Sequence, residues 1–236
     1  MQSHSSLSNE VLKPMDYNSV ASPRTAAAGL EINKVLKNTY LLLSATIIFS
    51  AVTAFFSMSM GMSVNTYLFS VIGAFLLGIF VLPKTANSTA GIGVIFLITG
   101  LLGFGLGPII NIYLQAANGA QIVTTALGGT GIIFLGLSGY VLTTKKDFTF
   151  MAGFLMTGMM VILLGILANL FLNIPAFSLA ISAGVIMLMS GFILFDTSRI
   201  VRGGETNYIM ATYGMYLSIF NIFIHLLNIL GFMSDD

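Results

Sequence analysis

Asp196 is the only carboxylate within the long apolar stretches of this chain, and Arg199, Arg202 and Glu205 follow it at once in GFILFDTSRIVRGGETNY, residues 191–208. A helix C-terminus opposes an anion, and burial opposes ionisation further, so Arg199, three residues on, is the expected charge partner. The competing reading is functional: an ionisable group at membrane depth marks an ion or proton site. Downstream, Ser218, Asn221, His225 and Asn228 recur at spacings of three, four and three, with Gly214 four residues earlier. On a helix they form one narrow stripe, and with Asp196 they could line a path for a cation or proton. A second chemistry is raised by GLSG at 136–139, where Ser138 as nucleophile and His225 as base would make a serine-hydrolase pair, provided they lie within about 3 Å or share a water. The chain has no HExxH, no phosphate-binding loop and no pair of histidines at metal spacing. With no cysteine, thiol catalysis and cysteine metal sites are excluded. No catalytic residue, cofactor or metal is expected.

The elements that must position these residues are membrane spans. The 236 residues are 56% hydrophobic and 7% charged, with a mean hydropathy of +0.97, far from the roughly one-quarter charged composition of soluble domains. The net charge of +1 gives no case for nucleic acid. A span needs about twenty mostly apolar residues, and seven stretches qualify: 38–59, 64–82, 89–112, 120–142, 148–172, 176–198 and 208–231. Short connections between them predict an all-α membrane protein, a seven-transmembrane helical bundle without a soluble domain. Residues 1–37, rich in Ser, Asn and Lys, read as a mostly disordered tail that allows a short helix from Thr25 to Leu36. If that tail is cytoplasmic, all nine Lys and Arg fall on inside segments, which places the N-terminus inside and the C-terminus outside.

This topology decides between the chemistries. Span four would leave Ser138 within about 6 Å of the cytoplasmic end and His225 about 25 Å from the inner end of span seven, too far apart to react. The polar stripe must face the bundle interior, because in lipid a polar side chain needs a protein partner; span seven is therefore expected at the centre. Gly103 and Gly107 in GLLGFGLGP have the spacing that lets two helices pack closely, and Pro108 follows.

LFDTSRI in span six and YIMATYGMYLSIFNIF in span seven resemble the signature of the transmembrane Bax inhibitor motif family. KNTYLLLS, PKTAN, LGPIINIYL, ALGGT, YVLTTKKD, ANLFLNIPAFSLAIS and GGETNYI are similar to one bacterial branch of it, in order through residues 35–236. The resemblance implies a seven-helix fold with span seven enclosed by the other six, in a bacterial cytoplasmic (inner) membrane. It also implies two activities. The bacterial branch is linked to FtsH, an ATP-driven membrane protease, so the chain would bind and restrain the FtsH complex, with residues 1–33 as the segment the protease engages. Other members are linked to a weak pH-dependent calcium leak gated by an aspartate pair between spans six and seven. Asp196 matches the first aspartate of that pair, but the second position is Ser218, which can neither share a proton with a carboxylate nor add a second charge for a divalent cation. The candidate ion or proton site is thus Asp196, Ser218, Asn221 and His225, with Arg199 as charge partner, and its depth places Asp196 near the mouth and Ser218 about 10 to 15 Å further in.

Overall fold

The computed structural model describes residues 23–234, with side chains from Gly29 onward. Seven helices are long and apolar enough to cross a membrane, and no strand occurs among the described residues. They are α1 (Pro23–Ser59), α2 (Asn65–Leu76), which continues through a π-helical turn (Leu77–Val81) into α3 (Leu82–Thr85), α4 (Thr89–Leu114), α5 (Gly119–Thr144), α6 (Ala152–Leu172), α7 (Pro175–Val201) and α8 (Tyr208–Phe232). Together α2, the π turn and α3 make the second span.

The N-terminal segment differs in part from its expectation. Residues 1–22 of the expected tail lie outside the described residues, but from Pro23 the chain is helical and runs without interruption into the first span. Two features explain the early start: proline is preorganised for the first helical turn, and Ala26, Ala27 and Ala28 are the strongest helix formers. Ile32 then packs over Gly203, whose φ of +74° is the left-handed turn that closes the α7–α8 connection.

Packing is tightest between α1 and α4, and glycine is the reason. A Cβ on Gly103 would lie 2.2 Å from the Ser50 carbonyl oxygen, and one on Gly107 would lie 2.6 Å from that of Ala54. The Gly103–Gly107 pair is therefore a helix-packing seam, and α4 continues through Pro108 to Leu114.

Helix α8 is central. It packs against α1, α4, α5 and α7, and Tyr213 reaches the second span, its ring occupying the space that a Cβ on Gly78 would need. The expectation of enclosure by all six other spans is corrected at one place: α6 packs chiefly on α7, at the edge of the bundle. Its own residues explain this, since they present an apolar surface nearly all round, of which only Leu155 is fully buried.

One end of the bundle is sewn together by its connections. The Asn207 side chain caps α8 by accepting from the Ile209 and Met210 amides, while its own amide donates to the Ala86 carbonyl at 3.0 Å and to Asn87 Oδ1 at 2.7 Å. The Phe148 amide donates to Ser198 Oγ at 3.0 Å, and Arg202 pairs with Asp147 at 3.4 Å. Donation from the Thr149 hydroxyl and amide, with Arg202 adding to it, holds the Asp147 carboxyl below the usual range; the Arg202 clasp is therefore lost only as pH falls through that lowered value. Thus the segments around Ile32, Lys84, Lys146 and Arg202 all meet at one end. Asn207→Ala removes a helix cap and two bridges, and is expected to lower stability by about 1–2 kcal/mol, measurable as an earlier thermal transition in detergent.

Candidate functional site

The site begins with the register of α7 against α8. Because α7 continues to Val201, Asp196 lies a full turn inside the helix end and is level with Gly214 of α8. A Cβ on Gly214 would sit 2.8 Å from Asp196 Oδ2, so glycine is what admits the carboxylate against the α8 backbone. One turn further on, buried Ser218 donates to the Gly214 carbonyl at 3.2 Å. Asp196 and Ser218 therefore address the same residue, with about 6 Å of helix rise between Gly214 and Ser218. This corrects the 10 to 15 Å depth offset expected from the span boundaries. The two side chains make no hydrogen bond to each other.

The remaining expected residues do not gather around this point. The Asn221 amide donates to the Leu217 carbonyl of its own helix at 2.8 Å. His225 Nδ1 meets Ser182 Oγ of α7 at 3.0 Å. From Ser218 to His225 the helix rises about 10 Å, so the stripe is a series of separate contacts along α8. No cluster of three or more His, Asp or Glu side chains able to hold a metal occurs among the described residues.

The expected charge partner of Asp196, Arg199, forms its ion pair with another residue. Arg199 pairs with Glu205 at 3.1 Å and lies over the Phe195 ring at 5.5 Å, so it acts on Asp196 only through space. Glu205 reaches Arg199 because the glycine turn at Gly203 folds the chain back, with the Gly204 and Glu205 amides donating to the Arg199 carbonyl. Among the described residues, Asp196 forms no hydrogen bond and no ion pair. A Glu six residues beyond an Arg is not a helical spacing, which is why the sequence pointed to the i+3 pair instead.

Two clusters of buried hydroxyls were not foreseen. Tyr40 of α1 hydrogen-bonds Ser138 of α5, and Thr197 of α7 donates to Ser138 at 3.5 Å. Deeper, the hydroxyls of Ser50 and Tyr216 bond at 2.6 Å, and Tyr216 Oη donates to the Thr99 carbonyl at 3.3 Å. Ser138 and His225 thus bond different residues and do not meet each other. The signal in the sequence was the set of lone hydroxyls within apolar spans, each of which must find a partner in lipid, although spacing does not say which.

Chemically, Asp196 with Gly214 and Ser218 is a single carboxylate beside a hydroxyl already committed to its own helix. It lacks the second anion that a shared proton or a divalent ion requires. Calcium flux into proteoliposomes is therefore expected to be the same for the parent and for Asp196→Asn, while Ser218→Asp, which supplies the second carboxylate, is expected to create a pH-dependent flux. Flux through the parent that Asp196→Asn abolishes would establish the leak instead.

Comparisons with known proteins bear on the chain as a whole. The family described as "Inhibitor of apoptosis-promoting Bax1" matches residues 32–235. An "Uncharacterized membrane protein" of Vibrio cholerae is 49% identical over 207 residues, 88% of this chain and 93% of that one. The "Modulator of FtsH protease YccA" of Escherichia coli K12 is 49% identical over 217 residues, 92% of this chain and 98% of that one. An uncharacterized protein of Pseudomonas aeruginosa is 44% identical over 207 residues, 87% and 92% of the two chains.

Proposed function

Since the chain belongs to the family of inhibitors of apoptosis-promoting Bax1, we propose that it is an integral membrane regulator that binds and restrains the FtsH protease, limiting degradation of other membrane proteins. The observation that carries this is the 49% identity, over 92% of the chain, to a relative named as a modulator of that protease. A counterpart from another Escherichia coli strain, matched over the same share, is named an inner membrane protein, and the bacterial inner membrane is the proposed location.

The orientation follows from charge. Ile32, Ala86, Lys146 and Arg202 belong to segments that meet at one end of the bundle, and these segments carry the lysines and arginines. Lys and Arg excess marks the cytoplasmic side, so this end faces the cytoplasm and the Phe232 end of α8 faces out.

The mechanism proposed is engagement without destruction. An ATP-driven protease takes hold of a terminal segment, and the Ser-rich residues before Pro23 are the segment proposed for it here. The bundle beyond that segment resists extraction, because α1 is locked to α4 through the glycine seam. The leak reading keeps Asp196 as its titrating group, but Ser218 in place of a second carboxylate leaves it without the pair it needs. The experiment is co-purification from mild detergent: the intact chain is expected to bring down FtsH, and its failure to do so in either direction of the pull-down would overturn the proposal.

A further inference from the structure

Between α1 and α5 the bundle is cleft on its lipid-facing side by an apolar groove of about 370 Å³. Ala51, Ala54 and Phe55 of α1 form one wall, Leu127 and Gly131 of α5 the other, and Phe220 of α8 lies in the floor. Phe134 of α5 lies at one end of the groove, where its ring meets that of Tyr40 with centroids 6.1 Å apart and the Tyr40 hydroxyl bonds Ser138. We propose that this groove is a binding site for one acyl chain of a bilayer phospholipid, entering from the leaflet on the side of the α1–α2 connection.

Three observations select this occupant. First, the groove follows α1 from Ile47 to Met58, a rise of about 16 Å, which is close to the roughly 15 Å hydrocarbon depth of one leaflet. Second, no polar ligand is served: Ser50 and Tyr216 bond each other, Tyr216 bonds the Thr99 carbonyl, and Thr130 bonds the Ala126 carbonyl at 2.7 Å. No cationic side chain lines the groove, so a free fatty acid would have to bring its carboxylate to an unpaired place, whereas a phospholipid leaves its headgroup in water. Third, the groove opens sideways onto the surface that faces lipid, so bilayer acyl chains are the molecules that surround it. The lips are continuous with the lipid-facing surface, Phe55 being 68% and Leu127 55% exposed.

The site differs from ordinary lipid contact in being a slot, and that difference is testable. The full chain is reconstituted in vesicles of phosphatidylethanolamine and phosphatidylglycerol carrying a trace of phosphatidylethanolamine with a diazirine at mid-chain, then photolysed and mapped by peptide mass spectrometry. Labelling of the 47–58 and 127–134 segments is expected to exceed that of Phe171 on α6, which is 89% exposed, by severalfold. Gly131→Phe projects a ring into the slot from a position where an added Cβ meets nothing within 4 Å, and Ala51→Phe fills it from the opposite wall. Each is expected to reduce groove labelling to the α6 level while leaving the α6 labelling unchanged. Equal labelling of groove and α6 in the parent, or groove labelling that survives both substitutions in folded protein, would overturn the site.

Discussion

Removal of residues 1–22 is expected to reduce FtsH co-purification to background while leaving the seven-span bundle intact. The segment to delete is set by where the described residues begin, at Pro23. The expected engagement region reached residue 33, but a cut there would also remove Ile32 and its packing over Gly203, so a loss of binding would be confounded with a loosened α7–α8 connection. Ending the deletion at residue 22 leaves α1 complete. The contacts of Asn207 with Ala86 and of Phe148 with Ser198 at that end are made between residues that the deletion keeps. The truncated chain should therefore keep its thermal transition and its elution volume in detergent. Retention of FtsH by the truncated chain would move the binding surface to the membrane bundle and end the tail mechanism.

Substitution of Gly103 by Ala is expected to be strongly damaging, because it drives two membrane-spanning helices apart. The added Cβ would lie 2.2 Å from the Ser50 carbonyl, 2.4 Å from Thr53 Oγ1 and 2.6 Å from Ser50 Oγ. The first of these is backbone, so no rotamer relieves it, and α1 must move away from α4. Overpacking of a well-fitted contact costs about 1–3 kcal/mol or more, and here it also disturbs the Ser50–Tyr216 bond. A loss above about 2 kcal/mol is expected, read as a large drop in the detergent melting temperature. The control is Gly128→Ala, where an added Cβ meets nothing within 4 Å and no loss is expected. If resistance to extraction depends on this seam, Gly103→Ala should also be degraded by FtsH while the parent is not.

Much of the fold could be read because the membrane imposes simple rules. Length and hydropathy delimit spans, and the need to partner polar groups in lipid put the Ser218, Asn221 and His225 face against other helices. The Gly103–Gly107 spacing pointed to close packing, and a close-packed seam is found. What could not be read was register. Whether Asp196 meets α8 near Tyr208 or near Gly214 depends on how far α7 continues past the last apolar residue, and the three extra residues through Val201 set it. The exchange of Arg199 from Asp196 to Glu205 has the same origin, since a left-handed Gly203 brings together residues whose spacing suggests no contact. A short helix from Thr25 was legible, but its continuity with the first span was not, because the polar, basic residues through Lys37 suggested a break that the helix does not make.

The central claim is restraint of the protease, and it is tested most directly by reconstituting FtsH with ATP and a membrane-protein substrate in liposomes, with and without this chain. The rate of substrate degradation is expected to fall as the chain is added, with the chain itself remaining intact and the truncated form lacking residues 1–22 having no effect. Degradation of the substrate at an unchanged rate, with the full-length chain present in excess over FtsH, would contradict the account.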